Sequence, residues 1–299
     1  WGDISSPVAN NHLRDWDSNP AGTVRELLMC GVNGISGNCG GWNSVTTWDA
    51  SSQGYVNVTD TSYLLSPGKS VEMWLADDGT TLYNTTFDSR GTPNYGDVPV
   101  AVVDQYNLVG NPYQAWIKWS SLTKPSLTNT YYIWNTNNSS YDAKTSGTIP
   151  PHQGFWVESS GDGTLTFTES SKNSSGSSTF WKTNNFGDEN TILLEDEEPY
   201  EFVESILKIK SEENSYAHEL KLRLSNVADQ GLDLFDASFL KSKLPEAPSI
   251  TTYASNSNKE LAISSFNREE EIVMPIKVKV GITGEYIIEP IAFTELAND

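Results

Sequence analysis

The sequence predicts an all-β chain of two antiparallel β-sandwich domains in tandem, of a jelly-roll or immunoglobulin-like kind. The abundance of Trp, Tyr, Thr, Val, Asn, Ser and Gly favours strands and turns over helices. Short apolar–polar alternations also recur, with Gly, Pro and Asp turns between them about every 8–12 residues. The only helix-like stretch of the first half, 23–29, is short, and a length of 299 residues suits about two domains.

The first predicted core is organised around two segments rich in large aromatic residues. Residues 106–119 read YNLVGNPYQAWIKW, and residues 149–158 read IPPHQGFWVE. Each has a Gly/Pro corner beside a strand-like run, because Gly tolerates positive φ and Pro fixes its own φ. We therefore expect the two segments to be neighbouring strands of one core.

The first domain is predicted to span residues 1–169. In the stretch 70–75, Val71, Met73 and Leu75 alternate with Glu72 and Trp74, which is typical of a strand with one buried face. The other strand signals of this domain lie at 42–48, 54–58, 81–87, 98–102, 131–134, 154–158 and 165–167.

A linker is predicted over residues 170–205. Its first part, 170–179, is Ser-rich, and its second part, 188–204, carries acidic residues and no basic one. The second domain, 206–299, has clean alternations at 206–210, 219–224, 261–263, 273–280 and 285–288. Such alternation favours a half-buried antiparallel sheet with a charged outer face.

The charge of the chain excludes some partners. Nineteen basic and 39 acidic residues give a formal net charge of −20, which argues against binding to nucleic acid or to anionic membrane surfaces. No apolar run approaches the ~18 residues that a membrane-spanning helix needs. We therefore predict no nucleic-acid partner and no membrane insertion.

The two cysteines, Cys30 and Cys39, delimit the short loop CGVNGISGNC. Three internal glycines make this loop flexible enough to close, so a disulfide is favoured over two free thiols. A disulfide would place the chain in an oxidising compartment.

No catalytic residue is predicted. The three histidines, His12, His152 and His218, are not arranged in any triad, Cys–His or HExxH spacing, so we expect the chain not to be an enzyme. Paired carboxylates remain an alternative, since acids are abundant. No cofactor is predicted. A structural Ca²⁺ at Asp233 and Asp236 is a weaker alternative to simple turn capping.

Ten tryptophans are more than one buried face needs. Trp42, Trp48 and Tyr55 lie near the cysteine loop, and Trp74 lies opposite the apolar face of its strand. Exposed aromatic rings suit stacking on sugars, so these four residues are the candidate glycan-binding site. The rival interpretation is that both faces of the sheet are covered.

Several motifs resemble a known family. The segments SSPVANNHLRDWD, LLSPGKSVEMWL, NLVGNPY, YIW and IPPHQGFWV, with ELKLRLSNVADQGLDLFDASFL in the second half, resemble Bacteroidetes surface and secreted proteins exported by the type IX secretion system. The resemblance implies tandem β-sandwich modules that precede a C-terminal sorting domain. It also implies an extracellular or outer-membrane cell-surface location.

We therefore expect a non-catalytic structural or adhesive segment of a large exported cell-surface protein. The alternatives are a carbohydrate-binding β-sandwich module, or a passive accessory region of a secreted enzyme whose catalytic domain lies upstream. We also expect the second domain to be incomplete at its C-terminus. Its open sheet edge near 276–288 would be filled by a strand of another protein chain or by residues beyond 299.

Overall fold

The computed structural model describes residues 2–17, 43–74, 89, 91–174, 176, 202–268 and 273–293. Strands account for 51% of it, and the described residues contain no α-helix, which confirms the all-β class. Three short 3-10 turns lie at Leu13–Asp17, Trp119–Ser121 and Glu169–Ser171.

Twenty-two strands lie within the described residues. In chain order they are β1 Gly2–Ser5, β2 Asn11–His12, β3 Val45–Asp49, β4 Gly54–Asn57, β5 Leu64–Leu65, β6 Ser70–Met73, β7 Val98–Val102, β8 Gln105–Gly110, β9 Trp116–Lys118, β10 Leu127–Asn135, β11 Ser140–Lys144, β12 Thr148–Ile149, β13 Gly154–Ser159, β14 Gly163–Phe167, β15 Lys172–Asn173, β16 Val203–Ser211, β17 Ala217–Ser225, β18 Ala237–Ser238, β19 Ser249–Tyr253, β20 Glu260–Asn267, β21 Lys277–Lys279 and β22 Tyr286–Phe293.

The chain divides into two compact units. The first comprises Trp1–Leu127 and Gly147–Leu193, and the second comprises Thr128–Ser146 and Leu194–Asp299. The second unit thus includes a stretch, 128–146, that lies within the first domain as inferred from the sequence. The domain boundaries 1–169, 170–205 and 206–299 stay a prediction.

A four-stranded antiparallel sheet, in the order β1-β6-β3-β4, forms one layer of the first unit. Val71 and Met73 of β6 are buried, together with Ile4 of β1 and Val45 of β3. This confirms the predicted alternation, in which Val71 and Met73 share the core face. Residues 18–42 and 75–88, with the predicted strand 81–87, lie outside the described residues.

The two aromatic segments pair as expected. Strands β8 and β13 run antiparallel, with Gly154 opposite Gly110 and Trp156 opposite Leu108. Phe155 stands on the other face of β13, where its ring meets Trp119 edge-on at 6.2 Å. The first unit also contains the sheets β12-β9-β15, β14-β7 and β2-β5.

Asn111 fixes the Gly/Pro corner after β8. Its buried side-chain amide donates to the carbonyls of Ala115, Ile149 and Pro150 at 2.9, 3.1 and 3.0 Å. Its Oδ1 accepts the backbone N–H of Tyr113 at 2.9 Å. One side chain therefore joins the two aromatic segments and satisfies backbone groups that the corner leaves unpaired.

The second unit is built on one large sheet in the order β21-β19-β20-β17-β16-β22, with β18 paired to β20. Strands β16 and β17 pair antiparallel over eight residue pairs, but β17 runs parallel to β20. The expectation of a purely antiparallel sheet in this domain is therefore wrong at the β17–β20 pair. The predicted strands at 206–210 and 219–224 are confirmed. Ile209, Leu220 and Ile250 form its buried core cluster. The hairpin β10–β11 belongs to the same unit.

Candidate functional site

Two of the four candidate glycan-binding residues lie directly opposite each other. Trp48 of β3 pairs with Tyr55 of β4, and their rings meet edge-on with centroids 5.0 Å apart. Trp74 follows β6, is half-buried, and donates its backbone N–H to the Ser44 carbonyl at 2.8 Å. Trp42 lies outside the described residues.

A third aromatic ring joins this pair from β13. The ring of Trp156 lies 4.8 Å from Trp48 and 6.0 Å from Tyr55, edge-on to both. We call Trp48, Tyr55 and Trp156 the aromatic cluster. Opposed residues of an antiparallel pair point to the same side, so the pair meets the strand that packs over that side.

The members of the cluster differ in exposure. Trp156 is buried and Trp48 is half-buried. The Trp48 indole N–H donates to the Tyr106 carbonyl at 2.8 Å, so its polar group is used inside the unit. Tyr55 is 45% exposed, which makes its ring the member that reaches solvent most.

Gln53 holds the hairpin turn between β3 and β4 against the start of β8. Its backbone φ is +50°, and its Nε2 donates to the carbonyls of Ala50 and Tyr106 at 2.6 and 3.0 Å. Its Oε1 accepts the Tyr106 N–H at 3.1 Å. Gln53 is not predictable from the sequence, since nothing in its neighbourhood marks a contact with a residue 53 positions away.

The same turn carries a fixed charge. The Asp49 carboxylate accepts the Ser52 hydroxyl at 2.8 Å and the Ser51 N–H at 3.0 Å. These hydrogen bonds, that from the Ser52 side chain first, lower the pKa of Asp49 below its ordinary value. An ionised, exposed carboxylate therefore stands at the end of the hairpin that presents Tyr55.

A buried acid orients Tyr55. The Tyr55 hydroxyl lies 3.1 Å from Oε2 of Glu72, a buried residue of β6. Glu72 stands opposite Asp3 of β1, which is also buried. The sequence places Glu72 on the face away from Val71 and Met73, and the structure covers that face, so Glu72 is buried and hydrogen-bonds to the exposed Tyr55.

The arrangement suits recognition of a planar apolar surface with hydroxyls around it. Tyr55 offers an exposed ring whose hydroxyl is already fixed, and the turn beside it offers Asp49, Ser51 and Ser52 as exposed polar groups. Aromatic side chains give large contact area at low ordering cost. The described surface is one exposed ring with a polar margin, smaller than a platform of four aromatics.

The histidines differ in whether the imidazole is used. The backbone N–H of His12 donates to Asp15 Oδ2 at 2.7 Å, and the backbone carbonyl of His152 accepts the Ser5 N–H at 2.9 Å in a turn with φ +63°. Nδ1 of buried His218 accepts the Ile250 N–H at 3.3 Å. Burial lowers the pKa of His152, and it lowers the pKa of His218 to about 4.

Asp233 and Asp236 accept backbone hydrogen bonds. Asp236 accepts from the N–H groups of Ser265 and Asp233 at 2.8 and 3.1 Å, and Asp233 accepts from Phe235 at 2.8 Å. Within the described residues, no group of three or more His, Cys, Asp or Glu side chains could hold a metal ion. The structural Ca²⁺ stays a prediction.

The predicted disulfide between Cys30 and Cys39 lies outside the described residues. The part of the chain that the structure describes contains no helix long and apolar enough to cross a membrane. No protein-family model, curated protein or solved structure matches the chain. The resemblance to type IX-exported proteins therefore stays a prediction.

Proposed function

We propose that the chain is a non-catalytic structural or adhesive segment of a large exported cell-surface protein. One observation carries the proposal: side chains of types that often act in catalysis or ligand binding form hydrogen bonds with the backbone here. Nδ1 of buried His218 accepts a backbone N–H, and the side chains of Asp236 and Asn111 bind several backbone groups each. Such polar networks rigidify a fold and define its corners.

The proposed architecture is two β-sandwich modules. In the first unit, Trp48 and Tyr55 of one sheet meet Trp156 of another, which supports two packed layers. In the second unit, Ile250 of β19 packs on Ile209 and Leu220 of β16 and β17, which supports the same arrangement. Tandem sandwiches suit a stalk or an adhesive segment, since each module has its own core.

A carbohydrate-binding module is the second candidate, and the exposure of Tyr55 favours it. The ring is 45% exposed, its hydroxyl is fixed by Glu72, and the adjacent turn supplies polar groups. On this proposal Trp48 supports the ring from behind. A passive accessory role beside an upstream catalytic domain is the third candidate.

Binding to a glycan array, followed by titration of intrinsic tryptophan fluorescence with any hit, separates the first two candidates. For a structural segment we expect no saturable quenching, because the indole N–H of Trp48 is already satisfied and Trp156 is buried. Saturable quenching that disappears in Tyr55→Ala would overturn the structural proposal in favour of glycan binding. Tyr95→Ala is the matched control, since Tyr95 is 81% exposed and no contact of its ring is described.

The proposed extracellular or outer-membrane location predicts a disulfide between Cys30 and Cys39. Intact mass after alkylation under denaturing conditions without reductant should equal the unalkylated mass, and prior reduction should add two alkyl groups. The chain contains no other cysteine, so the result is unambiguous. Uptake of two groups without reductant would contradict the bond and weaken the case for an oxidising compartment.

A further inference from the structure

The three rings of the aromatic cluster all touch one another. Their centroids are 4.8 Å apart for Trp48 and Trp156, 5.0 Å for Trp48 and Tyr55, and 6.0 Å for Tyr55 and Trp156. These are contact distances for aromatic side chains. The rate of electron tunnelling falls steeply with the gap between two rings. An electron vacancy on either indole is therefore one short step from the phenol of Tyr55.

The three rings also lead from the interior to the surface. Trp156 of β13 is buried, Trp48 of β3 is half-buried, and Tyr55 of β4 is the exposed member. Strand β4 is the last strand in the order of its sheet, which places Tyr55 at an edge. The cluster thus connects a buried indole to solvent through side chains in direct contact.

The hydrogen bond of Trp48 does not let its ring discard a proton. Removing an electron from an indole makes its N–H acidic, and this N–H donates to the Tyr106 backbone carbonyl at 2.8 Å. A peptide carbonyl is far too weak a base to accept the proton. An oxidised Trp48 therefore stays a radical cation, and a charged ring in a half-buried position is costly. Such a ring is a strong oxidant of its neighbours.

Tyr55, by contrast, has a base in place for its proton. Its hydroxyl donates to Oε2 of Glu72 at 3.1 Å, and Glu72 is buried. A phenol that loses an electron becomes strongly acidic, so its proton moves along this hydrogen bond to the carboxylate. The positive charge of the oxidised ring and the negative charge of Glu72 then cancel, which is favourable where water is excluded.

We propose that the aromatic cluster is an exit for oxidising equivalents, which carries an electron vacancy from the buried indoles to Tyr55 while Glu72 takes the phenolic proton. A diffusible one-electron oxidant removes the first electron from an indole and is itself reduced. An electron then passes from Tyr55 to the oxidised indole, and the O–H bond of Tyr55 breaks as its proton moves to Glu72. The products are a neutral indole, a tyrosyl radical and a neutral carboxylic acid.

The exposed position of Tyr55 allows the cluster to be restored. A reductant in solution, of the ascorbate or thiol class, gives one electron to the tyrosyl radical and is oxidised by one electron. The proton held by Glu72 returns to the phenol oxygen along the same hydrogen bond. The buried indoles are thereby spared irreversible addition of oxygen. This activity goes beyond the proposed structural or adhesive role and does not depend on it.

Pulse radiolysis of the full chain with the azide radical tests the electron transfer. At neutral pH this radical oxidises indoles faster than phenols. We expect the absorption of tryptophanyl radicals to decay as that of a tyrosyl radical grows, at a rate independent of protein concentration. Tyr55→Phe keeps a ring in the cluster and should lose this phase. Tyr95→Phe is the matched control and should keep it, since Tyr95 is 81% exposed and no contact of its ring is described.

Glu72→Gln separates a proton acceptor from a structural partner. The glutamine oxygen can accept the same hydrogen bond from Tyr55 but cannot take up the proton. We expect the tyrosyl phase to slow by about 100-fold, the low end of what a positioned base contributes. Thermal melts check that the variant is folded. A folded Glu72→Gln variant with the wild-type rate would overturn the role of Glu72.

Peptide mapping by mass spectrometry tests the protection. After continuous radiolysis with azide and ascorbate, Tyr55→Phe should carry more oxygen-addition products on Trp48 and Trp156 than the wild type, and Tyr95→Phe should match the wild type. Equal damage to these two indoles in the wild type and Tyr55→Phe overturns the protective role. A tyrosyl phase that Tyr55→Phe leaves unchanged, or that the wild type lacks, overturns the whole proposal.

Discussion

Replacing Gly154 by alanine should lower the free energy of unfolding of the first unit by about 3 kcal/mol, the upper end of the usual cost of overpacking. A Cβ at this position would lie 2.0 Å from Ser70 Oγ and 2.7 Å from the backbone carbon of Asp3. Both distances are far below van der Waals contact, so strand β1 or β6 would have to move.

Rotating the Ser70 side chain away from the added Cβ would relieve the clash only at a cost. The Ser70 hydroxyl donates to the Ile4 carbonyl at 2.8 Å, and rotating it away breaks that buried hydrogen bond. The Asp3 backbone cannot shift without its neighbour Ile4, which belongs to the core cluster of this layer. Opposite Gly154, Gly110 is equally tight against Ser5. The paired glycines therefore set the distance of β8 and β13 from β1.

Urea unfolding followed by tryptophan fluorescence measures the effect. Gly161→Ala is the matched control, because no atom lies within 4 Å of its added Cβ and its φ is outside the left-handed region. We expect the free energy of unfolding of the control to stay within about 0.5 kcal/mol of the wild type. Any increase would come from the lower conformational entropy of its unfolded chain. A Gly154→Ala variant as stable as the control would show that β13 and β1 are not held this closely.

Gly154 and Gly110 leave room for a second layer over the Glu72 face of β6. The burial pattern of β6 was predictable from the sequence, but this second layer was not. Alternation in 70–75 correctly places Val71 and Met73 inside and Glu72 outside the core face. It cannot show that a second layer covers the Glu72 face. That depends on Gly154 and on Trp156, about 80 residues away along the chain, and local periodicity carries no such information.

The candidate site was likewise predictable only where its residues are close together in the sequence. Trp48 and Tyr55 flank a Ser-rich turn, so their pairing follows from a hairpin. The sequence predicts that Trp156 packs in the core, and it does. Its contact with Trp48 was not predictable, because it joins residues more than 100 positions apart. The hydrogen bonds of Gln53 to Tyr106 are of the same long-range kind.

In the second unit, the sequence identified strands but not their neighbours. The alternations at 206–210 and 219–224 predict faces, and β16 and β17 have those faces. The parallel pairing of β17 with β20, and the inclusion of 128–146 in this unit, depend on which edges meet in three dimensions. Alternation marks a half-buried strand, for which antiparallel neighbours are the commoner case, but it does not show which particular neighbour is parallel.

Two buried groups of the second unit should make opposite contributions to the pH dependence of its stability. Burial lowers the pKa of His218 to about 4 from an ordinary 6.5. Burial raises the pKa of Asp236 to about 6 from an ordinary 3.8, against hydrogen bonds from Ser265 and Asp233 that lower it. At 1.36 kcal/mol per pKa unit, each shift corresponds to about 3 kcal/mol.

The signs follow from proton binding in the two states. Between pH 4 and 6.5 the unfolded chain protonates His218 and the folded chain does not, so this group adds stability as the pH rises. Between pH 3.8 and 6 the folded chain protonates Asp236 and the unfolded chain does not, so this group removes stability as the pH rises. From about pH 4 to 6 the two contributions cancel.

Single substitutions should expose each contribution. Relative to the wild type, Asp236→Asn should gain stability with rising pH between 4 and 6 by about 1.4 kcal/mol per pH unit, because only the His218 contribution is left. His218→Gln should lose stability over the same range at a similar rate, and the double variant should run parallel to the wild type. Urea unfolding at several pH values measures the free energy of unfolding of each variant. Subtracting the wild-type values at the same pH removes the contributions of other titrating groups. One such group is Asp142, whose pKa is also raised by burial. Curves parallel to the wild type in both single variants would show that neither group changes its proton affinity on folding.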